Sequence, residues 1–134
     1  MSRLFPIHLR TIPDGLDFLW DWPWQLGGHI IGRPDIRPGL GGKLTIADLH
    51  IGWAPTDPRL SVSLTLAPDL DAPYYRFDFR RDGVLLWRAD CHPGHEEEFG
   101  GPHHLHLGPT EHARVASPAY SLQDIAVLIH ETGV

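Results

Sequence analysis

The chain has 134 residues, 42% apolar and 21% charged, which describes one globular domain with a modest core and no room for a second. Its single cysteine, Cys91, excludes an intramolecular disulfide and a Cys₄ zinc site and fits a reducing cytoplasm. A net charge of −6 with His neutral excludes tight, sequence-indifferent binding to duplex DNA.

The first residues, Met1 to Arg10, lack a signal-peptide core, and no stretch approaches the about 18 apolar residues of a membrane span, so a cytoplasmic protein without membrane attachment is expected. Residues 1–42 carry Pro6, Pro13, Pro23, Pro34 and Pro38 with two Gly-Gly pairs, which predicts short extended pieces and turns and no long helix. Leu16, Phe18, Trp20, Trp22 and Trp24 fall at every second position and predict an edge strand with one aromatic face. That face serves core packing or, alternatively, stacks on a base or a partner protein.

From Lys43 the pattern becomes regular. Leu44 to Ile51 predicts a strand, Pro55 to Pro58 a turn, and Leu60, Val62, Leu64 and Leu66 alternate with Ser61, Ser63 and Thr65 as a half-buried strand. Tyr75, Phe77 and Phe79 alternate with Arg76, Asp78 and Arg80, and Arg81-Asp82-Gly83 turns the chain into a strand over Val84 to Arg88. His103 to Leu107 predicts one more strand. Ser121-Leu-Gln-Asp124 opens a helix whose apolar stripe is Leu122, Ile125, Ala126, Leu128 and Ile129. The sum is an α+β fold: a meander-like antiparallel sheet of five to six strands packed against a C-terminal helix. A single domain is expected over 1–134, with 1–58 a Trp- and Pro-rich extension contributing to the sheet and 59–134 the core.

Histidine is the unusual residue: ten in all, with His92, His95, His103, His104, His106 and His112 in one window of 21. In an extended strand, His104 and His106 share the open face, while His103 points to the core and donates to a backbone carbonyl. The loop from Asp90 to Pro102 can return His92 and His95 over the open face. His8, His29, His50 and His130 are scattered and read as incidental, and His112 has no assigned role.

Three chemistries fit the cluster. Imidazoles titrate near pH 6.5 and supply general acids and bases; with Arg76 or Arg88 on a phosphate, they suffice for a metal-independent ribonuclease. His92 or His95 with His104 and His106 is alternatively a Zn²⁺ ligand set, to which Glu96 to Glu98 could add. His104-x-His106 followed by Glu111 also resembles the first metal motif of cupins, but too few residues follow for the second. Thirdly, the histidines form a pH-sensitive interface or hydrogen-bonded loop residues. Ten arginines against one lysine fit an Arg-rich phosphate site or compositional bias.

One stretch, from about Tyr74 to Ile129, carries Tyr75-Arg76, Asp82-Gly83, Leu86-Trp87-Arg88, Asp90, His92, His95, Pro102-His103-His104-x-His106-x-Gly108 and Leu122-x-x-Ile125. In these elements the sequence resembles the TumE-like family of bacterial toxin–antitoxin-associated proteins. The family's loop histidines are usually adjacent, whereas Pro93-Gly94 separates His92 from His95 here, and residues 1–58 lie outside the resemblance. The resemblance implies a cytoplasmic bacterial toxin-like protein, an antitoxin partner and action on RNA.

The resulting expectation is a toxin-type RNase that needs no cofactor. His104 and His106 act as acid and base with His92 and His95 beside them, Asp90 orients an imidazole, Arg76 and Arg88 hold phosphate, and Trp87 contacts substrate. The competing readings are a protein-binding module using the Trp20/Trp22/Trp24 face and a zinc hydrolase or zinc-stabilised domain. A homo-oligomer is compatible with each.

Overall fold

Thr11-Ile12-Pro13-Asp14 starts a helix: the Thr11 hydroxyl accepts from the Asp14 N–H, and Pro13 stands in the first turn, where its missing N–H costs no bond. A computed structural model describes residues 3–53, 56–92, 102–110 and 113–132 and shows this helix, α1, over Ile12–Gln25. The edge strand expected here is therefore corrected, as is the expectation that no long helix runs through residues 1–42. Pro23 lies inside the helix, two residues before its end. The helix also separates the alternating aromatics: Trp22 is buried in the core, Trp20 is half-buried and Trp24 is 73% exposed. A contiguous Trp20/Trp22/Trp24 face does not form.

Eight antiparallel strands follow: β1 (His29–Ile31), β2 (Asp35–Pro38), β3 (Leu44–Trp53), β4 (Thr56–Leu66), β5 (Tyr74–Arg81), β6 (Val84–Cys91), β7 (His103–Leu107) and β8 (Arg114–Ala116). From β3 to β8 they form a meander in chain order, while β1 and β2 pair with different halves of β3 at the other edge. The meander and the α+β class match the expectation; the additional strands come from β1, β2 and β8, each only three or four residues long. One boundary is moved. Pro58 lies within β4, next to a register shift where a missing ladder donor is tolerated, and a division after residue 58 falls inside that strand. Asp82 and Gly83 have φ of 52° and 76°, the left-handed pair of a two-residue hairpin turn, as predicted.

Period-two alternation gives the sheet two unlike faces. On one, Leu60, Val62, Leu64, Tyr75, Phe77, Phe79, Trp87 and Ala89 are buried, and each large apolar side chain removed from water contributes about 1.5–3 kcal/mol. Both described α-helices pack there. Trp22 meets Phe77 edge-on at 6.1 Å, and Ile125 and Ile129 of α2 (Leu122–Glu131) enter the same cluster. The Ser121 hydroxyl and the Asp124 carboxylate close a reciprocal cap at the start of α2, as the sequence predicts. The other face carries the polar alternates. No described helix is long and apolar enough to cross a membrane.

Candidate active site

The cross-strand pairing aligns the polar face into two rows. His50 of β3 pairs with Ser61 of β4, Ser61 with Asp78 of β5, Asp78 with Arg88 of β6, and Arg88 with His106 of β7. Beside this row run Ser63, Arg76, Asp90 and His104, one from each of β4 to β7. Opposite charges thus stand across from one another, Asp78 against Arg88 and Arg76 against Asp90, the favourable cross-strand arrangement.

Two carboxylates organise these rows. Asp90 places Oδ1 3.5 Å from His104 Nδ1 and Oδ2 3.1 Å from His106 Nε2, while Arg88 Nε lies 3.8 Å from Oδ2. Asp78 receives Arg80 through Nε at 2.7 Å and Nη2 at 3.3 Å, with Arg88 Nη1 at 3.8 Å and Arg76 Nη2 at 3.9 Å. The result is one continuous ionic network from His104 and His106 to Arg76 and Arg80. His104, His106, Arg88 and Asp78 are buried, although they occupy the face opposite both helices. In this low-dielectric setting, charge pairs and their orienting hydrogen bonds weigh more than at an open surface. Arg76 remains 45% exposed and Arg80 37%.

A cavity of about 310 Å³ opens over the other end of the rows. Strands β3 and β4 contribute Asp48, His50, Ser61 and Ser63; β5 contributes Arg76, Asp78 and Arg80. His50 Nδ1 lies 3.0 Å from Ser61 Oγ. Asp48 sits at φ 59° where the β3–β4 register shifts between Ile46 and Leu49, so a bulge presents this carboxylate at the cavity.

The structure distributes the expected site residues unevenly. Arg76, Arg88, Asp90, His104 and His106 share one face; Arg88, His104 and His106 meet at Asp90, and Arg76 joins them through Asp78. Trp87 does not join them, and its expected substrate contact is corrected. It faces the core, 2% exposed, its ring tilted against Phe79 at 5.3 Å, with Nε1 donating to Thr132 Oγ1 at 3.0 Å. Strand alternation forces this, because its neighbour Arg88 occupies the polar face. His92 is exposed, its ring edge-on to Tyr74 at 5.9 Å. His95 and Glu96 to Glu98 lie outside the described residues. Among the described residues, no three His, Cys, Asp or Glu side chains converge to hold a metal ion.

His103 faces the core as expected, but its Nδ1 pairs with the Tyr75 hydroxyl at 2.7 Å rather than with a backbone carbonyl. Burial, and secondarily the neighbouring His104, lower the His103 pKa; burial raises that of Tyr75. Six participants in the polar face and its cavity are not singled out as site residues by the sequence: Asp78, Arg80, Ser61, Ser63, Asp48 and His50. The first four show in the sequence only as polar alternates of a strand. In the sequence His50 is one of the scattered histidines, and no local signal joins it to residue 106; the register across five strands does.

No curated protein and no solved structure matches the chain. A family model described as Toxin TumE matches residues 56–132, a span that holds every residue of the two ionic rows except His50. With more than half of its length covered by that match, the chain belongs to the toxin TumE family.

Proposed function

We propose that this chain is a cytoplasmic toxin that cleaves RNA by acid–base catalysis at its polar sheet face and is held in check by an antitoxin protein. The observation that carries the reading is Asp90 set between two imidazoles, with Arg88 alongside. His104 and His106 are two residues apart on one strand face, hence about 7 Å from each other, a spacing that fits a base and an acid on opposite sides of one phosphodiester. One imidazole takes the proton of a ribose 2′-OH as that oxygen bonds to phosphorus. The P–O5′ bond breaks, and the other imidazole gives its proton to the departing 5′-oxygen. The products are a 2′,3′-cyclic phosphate and a 5′-hydroxyl.

In this reading Arg88, beside Asp90, offsets charge developing on the phosphorane, and the exposed Arg76 is the cation through which a phosphate first meets the cluster. Asp90 lies against both rings and offsets positive charge on either. The test is cleavage of single-stranded RNA, together with growth inhibition on expression, by the wild type and by His104→Ala/His106→Ala. Loss of at least about 100-fold in cleavage with a cooperative thermal transition is expected. Full activity in the folded double variant overturns the assignment.

A further inference from the structure

We propose that the cavity over β3, β4 and β5 is a nucleotide-binding subsite for single-stranded RNA, distal to the cleavage point and centred on His50. This inference rests on the RNA-cleaving reading and names where the rest of the substrate strand lies.

Three observations carry it. First, the cavity belongs to the same registered row as His106 of the catalytic pair: His50, Ser61, Asp78, Arg88 and His106 are successive cross-strand partners. Four strand spacings separate His50 from His106, about 19 Å. A strand laid along the row covers that distance in about six nucleotides at the stacked rise, and in fewer when extended.

Second, the cavity's chemistry is divided as a nucleotide requires. Arg76 and Arg80 on β5 retain 45% and 37% side-chain exposure, whereas Asp78, the carboxylate between them, is only 8% exposed. A phosphate entering on this side meets guanidinium before carboxylate. Across from them, Asp48, His50 and Ser61 offer acceptors, a hydroxyl and a ring, which suit ribose hydroxyls, base N–H groups and stacking. The volume of about 310 Å³ lies at the lower end of small-ligand pockets.

Third, Asp48 reaches the cavity only because the chain accepts a left-handed residue in a bulge, φ 59°. Such a conformation costs about 1 kcal/mol or more, and bulges of this kind commonly re-aim a side chain beside a functional site. The carboxylate it exposes would repel a bare anion but accepts from a nucleoside. The site is therefore assigned to nucleotides within a strand rather than to inorganic phosphate.

The experiment compares a uridine dinucleotide with a uridine octamer as substrates for the full chain and for His50→Ala. Anisotropy of a labelled octamer is measured in parallel, and inorganic phosphate serves as a competitor. The dinucleotide is too short to occupy both ends of the row. His50→Ala is expected to lower kcat/KM for the octamer at least about 5-fold more than for the dinucleotide, mainly through KM, and to weaken octamer binding by a similar factor. Equal effects on both substrates, unchanged octamer binding, or phosphate competing as well as the octamer overturns the subsite. If the wild type cleaves no RNA, the proposed activity fails and the binding arm alone decides the subsite. Should His50→Ala fail to fold, His50→Gln takes its place.

Discussion

Replacing Asp78 with alanine removes a carboxylate that is 6% exposed and faces three guanidinium groups. Arg76 and Arg80 are exposed enough to rehydrate, so losing their pairs costs about 0–1 kcal/mol each. Arg88, with 9% side-chain exposure, has no such recourse. Breaking a buried pair from one side costs about 3–5 kcal/mol, and Asp90 at 3.8 Å from Arg88 Nε offsets part of it. The expected loss is therefore about 3 kcal/mol. At about 3–5 °C per kcal/mol for a domain between the small and medium size classes, the Tm falls by about 10 °C. Thermal unfolding at pH 7 followed by circular dichroism measures it, with Arg80→Ala as the control, expected to lose about 1 kcal/mol or less. An Asp78→Ala melt within about 2 °C of wild type, or equal to that of Arg80→Ala, refutes the view that Asp78 compensates a buried Arg88.

Three further outcomes follow from the packing. A Cβ at Gly108 would fall 1.7 Å from the Leu85 carbonyl oxygen, so Gly108→Ala is expected to lose about 3 kcal/mol in a urea titration; a wild-type midpoint contradicts this. Trp87→Phe removes buried volume and the bond to Thr132 and should cost about 2 kcal/mol, whereas Trp24→Ala, at a 73% exposed position, should change stability by less than about 0.5 kcal/mol. Equal losses would contradict the separation of the tryptophans by α1. The lowered His103 pKa means that the unfolded chain takes up a proton near pH 6.5 while the folded chain stays neutral. The corresponding stability is fully present above about pH 6.5 and is lost as pH falls toward the lowered value. His103→Gln should therefore flatten the Tm–pH curve below pH 6.5, and an unchanged slope contradicts it.

The parts of the fold legible in the sequence are those fixed by neighbours in the chain. The Asp82-Gly83 hairpin, the β7 strand over His103–Leu107 and the Ser121 cap of α2 each rest on a few contiguous residues. Helix α1 is hidden in the sequence because the alternate positions of Leu16, Phe18, Trp20, Trp22 and Trp24 imitate a strand and the prolines argue against a helix. The contrary signal was the Thr11-x-x-Asp14 start with Pro13 in the first turn.

At the site, alternation alone places Arg88, Asp90, His104 and His106 on one side of the sheet and should have excluded Trp87. Which polar residues meet across strands depends on register. The bulge at Asp48 that shifts β3 against β4 is not written in any local pattern, so His50 became part of the row only in three dimensions.

The central claim, RNA cleavage by two imidazoles ordered on Asp90, is tested most directly by the ends of the cleaved strand. Incubation of purified wild-type protein with single-stranded RNA in excess chelator, followed by mass analysis of the fragments, should give 2′,3′-cyclic phosphate and 5′-hydroxyl ends. Asp90→Asn should produce the same ends at a rate lower by about 10-fold or more. Fragments bearing 5′-phosphate and 3′-hydroxyl ends, or cleavage abolished by chelator and restored by Zn²⁺, contradict it.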